Sequence, residues 1–321
     1  MSLETVGAVG NAPAVNLSAV TGLANGMGGA SLPAMRSVQP PSPRPTARLQ
    51  RSDGAGRLHF VAAGGRTQAR GLYQSDPVRI LFPVPERGEP LPAVLVTTSG
   101  GLVGGDRIRL DLIADPDTTA TVGTQAAEKV YRSAGEVTRF AAGIAVGSGA
   151  WLEWLPQETI LFDGARFART TEVNLESGGR LLALEMLVFG RRARGETFAG
   201  GMLRDDWRIR VDGRLAWADA LRLSEPMAPL FGARAGLDGA AAMATVILAG
   251  AGGGEARDAV RAVAEDRPVV RIGASVVGPV MIARFLGSDA RILREAVIAA
   301  VGRIRNRLAG LSERLPELWY G

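Results

Sequence analysis

The stretch Arg107-Ile-Arg-Leu-Asp-Leu-Ile113 decides the fold class, because polar and aliphatic residues alternate through it without a break. A period of two puts successive side chains on opposite faces, so the run predicts a strand with one face on a core and the other in water. The same alternation returns in Thr170-Thr-Glu-Val-Asn-Leu175, Trp207-Arg-Ile-Arg-Val211 and Arg214-Leu-Ala-Trp217. Turn formers punctuate the runs at Pro116-Asp117, Gly147-Ser-Gly149, Asp163-Gly164, Gly178-Gly179 and Asp212-Gly213. Asp212-Gly213 lies between two alternating runs and predicts a tight hairpin, where both central residues need positive φ. The reading is a mainly β chain of many short strands.

Helices are few and late. Glu255–Glu265 predicts one, and Ser288 to about Leu308 a second, with Ser288 as N-cap and Ile292, Ala296, Ala299, Ile304 and Leu308 broadly on one face. Residues 1–46 are Gly, Ala, Ser, Pro and Asn with scattered apolar residues, closed by Pro40-Pro41-Ser42-Pro43-Arg44-Pro45. That composition buries too little to offset its ordering entropy, so a disordered tail with a stiff end is expected ahead of a single β domain over 47–321.

Composition removes several chemistries. Of 321 residues, 46% are hydrophobic and 21% charged, with net charge +5, no cysteine and one histidine, His59. Thiolate and multi-imidazole metal sites therefore cannot be built within one chain. The sole lysine is Lys129. The densest basic cluster, Arg191, Arg192 and Arg194, lacks the interleaved aromatics of a nucleic-acid surface. No run is long enough to span a bilayer, and the first basic residue is Arg36, so a cytoplasmic protein is expected, with no membrane partner.

Ser99-Gly-Gly-Leu-Val-Gly-Gly-Asp106 holds four glycines but is followed by a strand pattern rather than a helix, so a phosphate cradle is not expected. Gly100, Gly101, Gly104 and Gly105 read instead as a tight turn needing positive φ or close backbone approach. Ser99 lacks the glycine that a nucleophile elbow places two residues earlier; Thr97 stands there. Glu158 and Asp163 are the one carboxylate pair resembling a hydrolase couple, and a carboxylate-dependent hydrolase is the rival reading. Trp151 and Trp154 fall on opposite faces of a strand, which weakens a sugar platform.

Four blocks in order carry a family resemblance: Ser99–Asp106, Thr124-Gln-Ala-Ala-Glu-Lys-Val-Tyr-Arg132, Trp154-Leu-Pro-Gln-Glu-Thr-Ile-Leu-Phe-Asp-Gly-Ala-Arg166 and Gly190-Arg-Arg-Ala-Arg-Gly-Glu196. They resemble the urease accessory proteins of the UreD family, called UreH in some species. Leu315-Pro-Glu-Leu-Trp319 is similar to the family's terminal Pro-x-x-Trp; Thr97-Thr-Ser99 departs mildly from an expected Asn-Thr-Ala. The resemblance implies a non-enzymatic protein with a β-helical, solenoid-like stack of sheets. It implies binding to the accessory protein UreF and, with the GTPase UreG and the urease apoprotein, nickel delivery into urease. Gly100, Gly101, Gly104, Gly105, Gln125, Lys129, Tyr131, Arg132, Gln157 and Arg191 are then the motif and partner positions. No stably bound cofactor is expected. Oxygen ligands hold Ni²⁺ loosely, so transient passage along the motif carboxylates Asp106, Glu128, Asp163 and Glu196 is the expectation for cargo.

Overall fold

The computed structural model describes residues 51–320. The expected tail at 1–46 lies outside them, and Leu49–Gly321 cluster as one compact unit. In chain order the first strands are β1 (Asp53–Ala63), β2 (Arg66–Gln74), β3 (Val78–Leu81), β4 (Leu91–Thr97), β5 (Arg107–Ala114) and β6 (Thr119–Thr124). Then come β7 (Glu128–Val130), β8 (Thr138–Val146), β9 (Trp151–Leu155), β10 (Thr159–Leu161), β11 (Arg166–Leu175) and β12 (Arg180–Phe189). The chain closes with β13 (Met202–Val211), β14 (Arg214–Ser224), α1 (Ala228–Gly232), β15 (Ala242–Ala249), α2 (Gly253–Asp266), β16 (Arg271–Val277), β17 (Val280–Gly287) and α3 (Ala290–Ala309).

The alternating run at 107–113 is β5, and the chain coils around it. One sheet runs β14-β13-β11-β8-β5-β1-β2 and the other β16-β17-β15-β12-β9-β6-β4-β3. From β4 to β13 the chain passes back and forth between the two sheets, and neighbours within each are parallel. This is a β-solenoid, in which each coil adds one strand to each sheet. Register stacks like on like: Leu58, Leu112, Ile144, Val173 and Ile209 form one ladder across β1, β5, β8, β11 and β13, all nearly without exposed surface. Antiparallel hairpins end the parallel stack. The one at Asp212-Gly213 joins β13 to β14 with φ of 48° and 76°, the mirror turn that the dipeptide predicts.

The second sheet is buried on both faces. Trp154 points into the core between the sheets, while Trp151 packs under α2 and α3, so the two tryptophans do lie on opposite faces. All eight residues of β15 are buried, as a strand covered on both sides requires. The 255–265 helix is α2. The late helix is capped one residue later than expected: Asp289, not Ser288, accepts the amides of Arg291 and Ile292. Its buried stripe is Leu293, Ala296, Val297, Ala300, Val301 and Ile304; Ile292, Ala299 and Leu308 sit at its margin. The short α1 carried no readable periodicity.

Candidate functional site

The four motif blocks, spread over nearly a hundred residues, meet at one corner of the solenoid. β7 and β10 pair in parallel there, β10 pairs with β12, and Leu102 bridges Val130. Leu102, Val130, Leu161 and Phe189 stack with almost no exposure, one from each coil. The Leu102 amide donates to the Lys129 carbonyl at 2.7 Å, and the Tyr131 amide donates back to the Leu102 carbonyl at 2.9 Å.

The glycine block is the backbone of this corner. Gly101 has φ +141°, and a Cβ there would stand 2.5 Å from the Tyr131 ring. Gly104 is crowded rather than twisted: a Cβ would fall 2.2 Å from Ser133 Oγ and 2.9 Å from the Glu136 carbonyl. Asp106, buried, closes the turn by accepting the amides of Ser52 and Val103, each at 2.8 Å. Gly100 and Gly105 carry positive φ. The block is followed by β5, so the tight-turn reading describes it.

Around that turn lies a half-exposed aromatic and ionic surface. Tyr131 meets Phe162 edge-on at 4.9 Å and donates from its hydroxyl to the Gly100 carbonyl at 3.2 Å. The Arg191 guanidinium lies 4.3 Å over the Phe162 ring and donates from Nε to Glu196 Oε1 at 3.1 Å. That bond holds the Glu196 carboxyl below its usual range. Glu196 also accepts the Asp163 amide at 3.2 Å. Asp163 accepts the amides of Ala199 and Gly200 at 3.0 and 2.9 Å and pairs with Arg132. Lys129 and Gln125 project into solvent. Gln157 turns inward instead: its side chain donates to the Leu318 carbonyl at 2.7 Å and ties this corner to the C-terminal tail.

The four motif carboxylates therefore fall into two pairs. Asp163 and Glu196 are joined and each is met by an arginine. Glu128 feels Asp106, and burial pushes its carboxyl up to about 7 against a hydrogen bond from Thr97. Among the described residues no three His, Cys, Asp or Glu side chains converge in a metal-holding group. Glu158 and Asp163 pair with different arginines, Arg294 and Arg132. His59 lies on β1 and bonds Asp115 at 2.7 Å.

Sequence reading missed a second constellation, inside the solenoid. Arg169 of β11, Glu185 of β12 and Asp205 of β13 are all buried between the sheets. Arg169 Nε lies 2.9 Å from Glu185 and 3.1 Å from Asp205. Two acids and one base in a dry interior favour keeping one proton, and burial pushes the Glu185 carboxyl up to about 8 despite Arg169. A cavity of about 10 Å³, room for roughly one water, lies against Glu185, Asp205, Trp207 and Thr245. The signal was in the phase of the strands. Arg169 falls among the inward residues Phe167, Thr171 and Val173, and Asp205 among Leu203, Trp207 and Ile209.

A two-sheet β-solenoid with its motifs gathered into a backbone-built corner is a class of architecture, and comparison with known proteins gives the family. The family model described as UreD urease accessory protein matches residues 52–320. The chain is 45% identical over 270 residues to the urease accessory protein UreD of Magnetococcus marinus, covering 83% of this chain and 93% of that one. It is 38% identical over 270 residues to that of Mesorhizobium japonicum, 84% and 94% covered. With that of Granulibacter bethesdensis it shares 42% over 241 residues, 75% and 99% covered. The chain belongs to the UreD family of urease accessory proteins. Among the described residues no helix is long and apolar enough to cross a membrane.

Proposed function

We propose that this chain is a non-catalytic scaffold of urease maturation, acting in the cytoplasm, which binds a UreF-like protein and, with a UreG-like GTPase and urease apoprotein, supports nickel insertion. The observation that carries the reading is the convergence of four family blocks into one surface built of glycine turns, stacked aromatics and arginine–carboxylate pairs. Such a surface is suited to docking. Asp106, Asp163 and Glu196 are already engaged, and its exposed groups include Gln125, Lys129, Arg132, Arg192 and Arg194.

Nickel, as cargo, needs donors that release it. Carboxylate and carbonyl oxygens exchange faster than imidazole or thiolate, and this chain has one histidine and no cysteine. Of the motif carboxylates, Asp163 and Glu196 are neutralised by arginine, whereas Glu128, beside Asp106, is poised to trade a proton for a cation near neutral pH. In the interior Glu185 and Asp205 are held by Arg169, as Asp163 and Glu196 are held by Arg132 and Arg191.

Co-expression with a UreF homologue and urease, followed by size-exclusion chromatography and nickel analysis of the urease, tests the reading. A stable complex and loss of loading without this chain are expected. A chain that stays monomeric beside UreF, with urease loaded normally in its absence, would overturn it.

A further inference from the structure

Among the described residues, β14 and β2 form the edges of the first sheet and β16 and β3 those of the second. An open edge offers unpaired amides and carbonyls to another chain unless charge, proline, a bulge or shortness blocks it. Three of these edges are blocked. β14 carries Arg214, Asp219 and Arg222, and its register against β13 slips between Ile209 and Arg210. β2 carries Arg66 and Arg70, and β1 slips against it between Arg57 and His59. β3 is only four residues long and lies between Pro77 and Pro83.

β16 has none of these devices. Its seven residues pair with β17 without a slip, and its one charge, Arg271, is held by Asp238. From Ile272 to Val277 there is neither charge nor proline. Val276 and Val277 are 38% and 49% exposed, and Val269, just before the strand, is 71% exposed. The two-residue turn Gly278-Pro279 makes Val277 and Val280 a bonded pair. Alternate residues Ile272, Ala274 and Val276 therefore turn their amides and carbonyls away from β17. Arg261 of α2 agrees with that reading, reaching the Ala274 carbonyl at 3.4 Å.

We propose that β16 pairs with β16 of a second copy of this chain, antiparallel about a two-fold axis at Ala274, joining the second sheets of the two copies. Self-complementarity chooses this occupant. In that register the outward set maps onto itself: Ile272 faces Val276 of the second copy, and the two Ala274 residues face each other. The free amides and carbonyls then find partners, and two β-branched pairs extend the apolar face under α2. Arg271 falls opposite Val277, so no like charges are opposed. A two-fold uses up both edges, so association stops at two. The edge lies three strands from β12 and its motif corner, so this surface is additional to the one proposed for a UreF-like protein. A single strand pair is a small interface, so the dimer should form in a concentration-dependent way.

The chain's lack of cysteine permits a test of register in the full-length protein. Ala274→Cys would place two thiols on the axis with Cα atoms about 5.5 Å apart, within disulfide reach. Val276→Cys, although more exposed, would leave its two thiols roughly 14 Å apart along the strands. Under mild oxidation Ala274→Cys should cross-link two chains at least about tenfold faster than Val276→Cys. Equal rates, or faster linking through Val276→Cys, would overturn the proposal. Sedimentation velocity gives the second arm. The parent should dimerise with rising concentration. Ala274→Lys and Ala274→Glu should each remain monomeric, and an equal mixture of the two should recover the dimer, which a misfolded variant could not do. A parent that is monomeric throughout, a dimer that persists in Ala274→Lys, or a mixture that stays monomeric would each overturn the pairing.

Discussion

Arg305 has no exposed surface, and its Nε donates to Glu153 Oε1 at 2.8 Å across 152 residues of sequence. Its remaining donors reach Glu89 and the carbonyls of Ser312 and Arg314, the last two at 2.9 and 2.7 Å. Glu153 in turn accepts from Thr121 Oγ1 at 2.6 Å and Trp151 Nε1 at 2.9 Å. One guanidinium thus joins α3, β9, the β3–β4 connection and the C-terminal tail, with the buried charges matched and their hydrogen bonds filled.

Arg305→Ala would strand Glu153 as an unpaired buried charge. The expected loss is about 3–5 kcal/mol, more than most surface substitutions in this chain could cause. Denaturant unfolding measures it. A variant within about 0.5 kcal/mol of the parent would mean water or a neighbour takes over the pairing.

The glycine corner should rank its own substitutions. Gly104→Val and Gly101→Val put atoms where Ser133 and Tyr131 already are, and each should cost about 2 kcal/mol or more or abolish folding. Gly100, with nothing within 4 Å of a built Cβ, meets only its φ of +73°. Gly100→Ala should therefore cost only about 1 kcal/mol. Thermal unfolding of the three reads the order, and calorimetry should detect no ATP or GTP binding by the parent. Nucleotide binding would make the turn a phosphate cradle after all.

Stability should fall with rising pH because of Glu185. Its carboxyl is raised in the folded chain above its unfolded value, so the folded state holds the proton more tightly. That contribution is complete below about pH 4.5 and is lost as pH climbs through about 8. Glu185→Gln should flatten the pH dependence of the melting temperature across that window and should melt higher than the parent at its alkaline end. An unchanged slope would place the titration elsewhere.

Nickel loading should separate the motif carboxylates. Asp163→Ala and Glu196→Ala release Arg132 and Arg191 and should weaken pull-down of a UreF-like partner together with loading. Glu128→Gln should lower the nickel content of co-expressed urease while pull-down stays intact, and His59→Ala should change neither. If Glu128→Gln loads urease normally, or fails only alongside pull-down, Glu128 is a structural residue and no part of a nickel route.

The sequence alone determined the mainly β class and several of its strands, because burial on one face writes a period of two into β5, β11 and β13. It determined the Asp212-Gly213 hairpin, since few residue pairs accept two positive φ angles, and it carried the family through four blocks of local spacing. It did not determine the α3 stripe to the residue, because alanine-rich helices offer several faces of similar hydrophobicity. What only the tertiary structure decided is which coil stacks on which. Parallel neighbours in a solenoid come from a full turn away, and ladder pairing leaves no local mark. For the same reason the Gly101–Tyr131 contact, the inward turn of Gln157 and the Arg169–Glu185–Asp205 cluster were out of reach. The first and last join residues on different coils, brought together only when register aligns their rows, and Gln157 meets the C-terminal tail from 161 residues away.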